Sequence, residues 1–156
     1  MLISFKLNGK DVLLETAPDR KVIDLLREDL GLTGSKESCG RGDCGSCSIL
    51  VDGEQRLSCL MLAAQLEGRE IITIEGFSRQ HDQLNNLQQK FIELGATQCG
   101  FCTPGMVIAA TALLRENPCP TRAEAREAIS GNLCRCGTYQ KILDAIEAAA
   151  KRTIEL

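Results

Sequence analysis

Hydrophobic and polar residues alternate at the start of the chain. Ile3, Phe5 and Leu7 are interleaved with Ser4 and Lys6, a period of two that predicts a strand with one buried face. Asn8-Gly9 follows and leads into Val12 to Glu15, so residues 2–16 are expected to form a hairpin. The period then changes. Val22, Leu25, Leu26 and Leu30 recur at helical spacing after Pro18, with Asp19 as the expected N-cap and Gly31 as the stop. Cys47 to Val51 reads as another strand ended by Asp52-Gly53, Cys59 to Ala64 as a short helix, and the β-branched run Ile71 to Glu75 as the strand that closes the sheet. Two strands followed by a crossing helix are the opening of a β-grasp arrangement.

Beyond Gly76 only helical patterns occur. Leu84, Leu87, Phe91 and Leu94 mark one amphipathic helix stopped by Gly95, and Pro104 suits the first turn of a second, which carries the apolar run Met106 to Leu114. Asn117-Pro118-Cys119-Pro120 is a connector. Thr121-Arg122-Ala123-Glu124 is a capping box for a third helix running through Ile129, and Ile142, Ala145, Ile146 and Ala149 share one face of a fourth. The predicted class is α+β: a β-grasp unit over residues 1–76, a polar linker over 77–83 and an all-α four-helix unit over 84–156.

Composition sharpens this picture. The 156 residues are 44% hydrophobic but contain no Trp and only 3% aromatics, so each unit has a thin core of the kind that needs a staple. A net charge of −3 without a basic stripe argues against nucleic acid as a partner. No apolar run is long enough to span a membrane, and the alternation at the N-terminus is not a secretory leader. The expected location is the cytoplasm, where nine cysteines serve as metal ligands more readily than as disulfides, and the odd count agrees.

Eight of those cysteines fall into two sets. Cys39-Gly40-Arg41-Gly42-Asp43-Cys44-Gly45-Ser46-Cys47, followed by Cys59 after eleven intervening residues, is C-x4-C-x2-C…C, the spacing by which plant-type ferredoxins hold a [2Fe–2S] cluster. Three glycines let such a loop curl and aim N–H groups at sulfur. Gly40, Gly42 and Gly45 also spell G-x-G-x-x-G, but no strand precedes them and no helix follows, so the dinucleotide reading lacks its setting. The second set is Cys99-x2-Cys102 and Cys134-x-Cys136, separated by 31 residues. Each pair is expected at the start of a helix, where the dipole and free N–H groups favour thiolate, so four sulfurs would meet around one cluster.

Bland readings stand beside these. Four-cysteine zinc suits the second set better than the first, and Cys99-Gly100-Phe101-Cys102 as a redox dithiol lacks a βαβ frame. Cys119 fits neither set and reads as a filler or solvent-facing thiol, Met61 and Met106 as core, and the lone His81 as a solvated linker residue. Arg135 either damps cluster charge or is simply exposed.

Glu37 to Cys47, Ser58-Cys59, Gln98 to Gly105 and Gly131 to Cys136 together resemble the small iron–sulfur subunit of the xanthine dehydrogenase family, the molybdenum hydroxylases. The resemblance covers nearly the whole chain. It implies a β-grasp plant-type ferredoxin domain followed by a four-helix domain, each with one [2Fe–2S] cluster, held by Cys39, Cys44, Cys47 and Cys59 and by Cys99, Cys102, Cys134 and Cys136. It implies no substrate chemistry on this chain. A large partner subunit would carry molybdopterin, as a dinucleotide, and hydroxylate a heterocycle or aldehyde, or in some members reduce an aromatic thioester. Electrons would then pass through the helical-domain cluster and the ferredoxin-domain cluster to FAD on a medium subunit or to an external acceptor. By the same resemblance Gln98 and Cys136 lie near the partner's pterin. Arg41, Ser46 and Cys136-Gly137-Thr138-Tyr139 depart from the commonest family pattern, which weakens an assignment to xanthine and leaves aldehydes and other N-heterocycles open. The alternative from another class is a freestanding two-cluster ferredoxin.

Overall fold

Alternation at the N-terminus becomes β1 (Leu2–Leu7), whose Ile3, Phe5 and Leu7 are buried while its other residues face out. The computed structural model describes residues 1–77 and 84–151. β1 pairs antiparallel with β2 (Lys10–Glu15), and Asn8 and Gly9 between them both have positive φ, as a tight hairpin turn requires. The sheet has five strands in the order β2-β1-β5-β3-β4. β3 (Ser48–Val51) pairs antiparallel with β4 (Glu54–Leu57), and β5 (Glu70–Ile72) lies parallel to β1 and antiparallel to β3.

The crossing helix differs from its expectation. α1 (Val22–Asp24) continues as a π-helical turn over Leu25–Asp29, with Lys21 rather than Asp19 at its N-cap. The main chain before it is already committed elsewhere: Ala63 and Ala64 donate to the Arg20 and Pro18 carbonyls, and Val22 donates to the Met61 carbonyl. The same pairing holds Met61 and Leu62 extended, so the helix expected over Cys59 to Ala64 is two short 3-10 turns, Ser58–Leu60 and Ala63–Leu66. The last strand is also shorter than expected, because Ile74–Phe77 turn as a 3-10 helix.

Both faces of β3 are covered, and this strand joins the two halves. Ile49 and Val51 belong to a core with Ile3, Phe5, Val22, Leu25 and Leu26, whereas Leu50 packs with Phe77, Met106 and Ile108 of the helical half. A strand buried on both sides reads as a continuous apolar run, which is what Ile49-Leu50-Val51 is.

The four expected helices are α2 (Asn86–Glu93), α3 (Thr103–Glu116), α4 (Arg122–Ala128) and α5 (Tyr139–Lys151). Leu87 and Phe91 of α2 are buried, but Leu84 and Leu94 lie outside it and are exposed, because Asn85 caps one end and Gly95 with positive φ follows the other. Ile142, Ala145, Ile146 and Ala149 of α5 are all buried. Of the expected linker, Phe77 is buried, and residues 78–83, His81 among them, lie outside the described residues. No helix among the described residues is long and apolar enough to cross a membrane.

The capping box of α4 forms as expected: Thr121 Oγ1 accepts the Glu124 N–H, and the Glu124 carboxylate accepts from the Thr121 N–H and hydroxyl, which holds that carboxyl below its ordinary pKa. Thr121→Ala removes both bonds of the Thr121 hydroxyl on an exposed helix end and is expected to cost about 1 kcal/mol of stability, read as a lower urea midpoint at unchanged slope.

Candidate metal centres

The first set of thiols is delivered by the loop before β3 and by the turn after β4. Gly40, Gly42 and Gly45 all have positive φ, so the loop wraps inward on itself. Cys39, Cys44 and Cys47 come from it, and Cys59 sits on the turn Ser58–Leu60. Ser58 fastens the two pieces together, its hydroxyl donating to the Cys47 carbonyl at 2.7 Å and its N–H at 3.3 Å. Cys44, Cys47 and Cys59 are buried, and Cys39 is half-buried. Backbone donors point at sulfur: the Asp43 N–H reaches Cys39 Sγ at 3.3 Å. The Arg41 N–H does most to lower the Cys39 pKa to about 6, with the Cys44 thiol donating as well. Burial pushes Cys59 up to about 12, and its thiol donates to Cys47.

The second set gathers where two helices begin. Cys99 and Cys102 precede α3, with Cys102 at its N-cap, and Cys134 and Cys136 precede α5. The Phe101 N–H and then the Cys136 thiol lower the Cys99 pKa. Burial raises Cys102 to about 12, and its thiol donates to Cys134. Burial opposes the Cys134 thiolate too, but Thr138, Cys102 and the Cys136 N–H together outweigh it and bring Cys134 to about 7. Thr138 Oγ1 lies 3.3 Å from Cys134 Sγ, and the Cys134 N–H donates to the Tyr139 hydroxyl at 2.7 Å.

In each set the thiols therefore stand in twos, Cys39 with Cys44 and Cys47 with Cys59, then Cys99 with Cys136 and Cys102 with Cys134. Among the described residues no three ligating side chains are gathered tightly enough for a single ion. A diiron core takes two thiolates on each iron, whereas zinc takes four on one centre, so this arrangement fits the former.

Cys99, Cys102 and Cys134 of the second set line a cleft of about 540 Å³, and Cys44 of the first set also reaches its wall. Outward, the second set is open. Cys99 and Cys136 are exposed, and beside them Phe101 and Leu133 are 43% and 55% exposed. Gln98, next to Cys99 in sequence, is exposed. Arg135 is exposed at the cleft. Cys119, which lies in sequence between the two pairs of the second set, is solvent-facing, Met106 is core, and Met61 is partly buried against the sheet core.

Residues that sequence reasoning gave no role are Ser48, Gln55, Asn132, Thr138 and Tyr139. Gln55 sits on β4, whose Glu-Gln-Arg-Leu sequence carries no apolar alternation, so its place opposite Asn132 was invisible.

A family model described as a 2Fe-2S iron-sulfur cluster binding domain matches residues 5–73, and one described as a [2Fe-2S] binding domain matches residues 73–147. The nicotinate dehydrogenase small FeS subunit of Eubacterium barkeri is 47% identical over 150 residues, spanning 96% of this chain and 95% of that protein. The chain belongs to the small iron–sulfur subunits of the xanthine dehydrogenase family. As such a subunit it is part of an oxidoreductase, with one [2Fe–2S] cluster for each of its two domains. The crystal structure of quinoline 2-oxidoreductase from Pseudomonas putida 86 contains a chain 50% identical to it, with a TM-score of 0.94 over 99% of this chain and 96% of that one. Aldehyde oxidoreductase from Desulfovibrio gigas matches 99% of this subunit with a TM-score of 0.95 at 35% identity, but over only 17% of its own length. There the same fold is a part of a longer polypeptide. The order of sheet domain then helical domain agrees with the class read from the sequence.

Proposed function

We propose that this subunit is an electron relay: it takes electrons one at a time from a molybdopterin site on a large partner subunit and passes them to FAD on a medium subunit or to another acceptor. The observation that carries this reading is the pairing of eight thiols into two sets of four, each with backbone N–H groups aimed at sulfur. Cys39, Cys44, Cys47 and Cys59 are the proposed ligands of one cluster, and Cys99, Cys102, Cys134 and Cys136 of the other. When bound, the clusters supply one-electron redox chemistry, ferric–ferric to mixed-valence. The chain's residues set its conditions. The Arg41, Asp43, Gly42 and Phe101 N–H groups and the Thr138 hydroxyl stabilise negative charge on sulfur. Burial of Cys44, Cys47 and Cys59 limits the access of water to the first set.

Exposure supports the direction of flow. The second set lies open beside Phe101 and Leu133, an apolar rim that suits a covering partner, and the exposed Gln98 and Cys136 are the residues proposed to meet the pterin. A freestanding carrier has less use for such a rim. The domain division at 77–83 and a cytoplasmic location belong to the same proposal.

The test is anaerobic purification of the chain with metal and sulfide analysis. About four irons with matching acid-labile sulfide, and two signals in the EPR spectrum after dithionite, are expected; zinc or free thiols in either set would sink the reading. Thr138→Val gives a finer check. It keeps shape but removes the hydroxyl beside Cys134 Sγ, so the reduced state loses a donor. The reduction potential of the second cluster should become more negative while the first stays put, measured by EPR-monitored titration.

A further inference from the structure

Lys36 belongs to the ferredoxin half, but its ammonium stands over a ring of the helical half. Lys36 Nζ lies 6.0 Å from the centroid of Phe101, which falls between Cys99 and Cys102 of the second set in sequence. We propose that Lys36 sets the reduction potential of the cluster held by the second set, by offsetting part of the negative charge that an accepted electron adds there. The proposal rests on the reading that this set binds a [2Fe–2S] cluster.

Four thiolates outweigh the positive charge of an oxidised diiron core, and reduction makes the centre more negative still. A cation held nearby favours the reduced state, the more so where solvent screens it less. Other cations near the two sets are neutralised or wet. Lys21 pairs with Glu37 at 3.5 Å, and Arg41 with Asp43 at 2.6 Å. Arg135 stands between two ligands, the place where sequence alone looks for such a charge, but it is exposed, and water and salt screen it. Lys36 differs on both counts. It is half-buried, and among the described residues no carboxylate pairs with its ammonium, which donates instead to the Gly34 carbonyl at 3.1 Å. The Phe101 beneath it donates its N–H toward the Cys99 sulfur, so the ring is tied to the ligand set. Attraction of an ammonium to a ring face is weak at this distance, the outer limit of such contacts. The contact therefore adds little to the fold; what it does is place an unpaired positive charge beside the second set.

The main chain that carries Lys36 is fastened at three successive residues. The Lys36 N–H donates to the Ser46 carbonyl at 3.1 Å, inside the first ligand loop. Arg27 Nη1 donates to the Ser35 carbonyl at 2.8 Å, and the Gly34 N–H donates to Glu75 Oε1 at 2.8 Å. Gly34 has no room for a side chain, since a Cβ there would stand 2.2 Å from Ile74 Cγ2. The ring is fastened from the other half. α3 begins two residues after Phe101, and Asn132, 2% exposed, keeps the halves in register: its Nδ2 donates to the Gly45 carbonyl at 3.0 Å and its Oδ1 accepts from Gln55 Nε2 at 3.2 Å. A buried polar network whose members satisfy one another fixes position more than it adds energy. The charge on Lys36 reaches the second set only while the two halves are docked, so their packing is also what makes that cluster easier to reduce.

The experiment uses the full chain loaded with both clusters. Lys36→Met removes the charge and keeps an unbranched stem over the ring, Lys36→Arg keeps the charge, and Arg135→Gln removes the exposed cation between the ligands. Iron and sulfide content are measured first, then both reduction potentials by EPR-monitored titration, the second cluster's signal being the one that survives Cys59→Ala. The expected result for Lys36→Met is full loading, unchanged line shapes and a more negative potential for the second cluster, read at a fixed poise as a several-fold lower ratio of reduced to oxidised centres. The first cluster should shift less, Lys36→Arg should restore the wild-type value, and Arg135→Gln should move the second cluster less than Lys36→Met does. An unmoved second potential in Lys36→Met overturns the proposal, as does an equal shift in the first cluster, an equal shift in Lys36→Arg or a larger one in Arg135→Gln. If Lys36→Met fails to load, Lys36→Gln is read in its place, and loss of a cluster from both overturns the proposal too, since the lysine would then be scaffold. A wild-type chain whose second set binds no cluster fails the underlying reading instead, before any variant is made, so the two failures are distinguishable.

Discussion

Cys59→Ala will empty the first cluster and leave the second in place. The Cys59 sulfur comes from a separate element, the turn after β4, and it is 4% exposed. Removing it deprives one iron of half its protein ligands in a pocket where water has little access to replace them. Iron should fall from about four to about two per chain, and one of two EPR signals should disappear. The other set draws all four thiols from the helical half, around the starts of α3 and α5, so its signal should persist. Cys119→Ser is the matched control, since that thiol is exposed and outside both sets, and it should change neither iron content nor spectrum. Loss of both signals from Cys59→Ala would mean that the sets do not load independently, and an unchanged iron content would remove Cys59 from the ligands.

Gly45→Val will cost the chain most of its folded yield. Gly45 has φ of +71°, where an L-residue with a Cβ pays about 1–2 kcal/mol. The new Cβ would also lie 2.5 Å from the Gly131 oxygen and 2.6 Å from Asn132 Nδ2, and relief of such overpacking costs roughly 1–3 kcal/mol more. Moving Asn132 aside breaks its buried bond to the Gly45 carbonyl, a further loss of about 1–3 kcal/mol. The sum is roughly 3–8 kcal/mol against a typical domain stability of about 5–15 kcal/mol, so little folded protein should remain. Gly9→Ala isolates the contact term: its φ is +81° but nothing lies within 4 Å of the added Cβ, so it should cost only about 1–2 kcal/mol. Equal denaturation midpoints for the two variants would show that the close approach at Gly45 carries no weight.

Local chemistry was the most legible part of this chain. The Asn8-Gly9 turn, Pro104 in the first turn of α3, the Thr121 capping box and the buried face of α5 each follow from a few neighbouring residues, and the structure has them where the pattern put them. The close cysteine spacings, Cys39 to Cys47, Cys99 with Cys102 and Cys134 with Cys136, are legible for the same reason. What escaped was decided at a distance. Asp19 is a sound N-cap by type, yet the Pro18 and Arg20 carbonyls are taken by Ala64 and Ala63, more than forty residues on. Asn132 lay inside a recognisable motif, but its role depends on Gln55, on a strand that has no apolar period to announce it. Contacts of that kind leave no signature in either segment alone.

The double-sided burial of β3 bears on how this subunit can be re-engineered. Its odd and even residues answer to different neighbours, so Leu50 must suit the helices while Ile49 and Val51 suit the sheet's own helix. A chimera that takes the ferredoxin half from one relative and the helical half from another would therefore mismatch at a seam well upstream of the splice point. Grafts between family members will keep their fit only if the residues facing Met106 and Ile108 travel with the helices they serve.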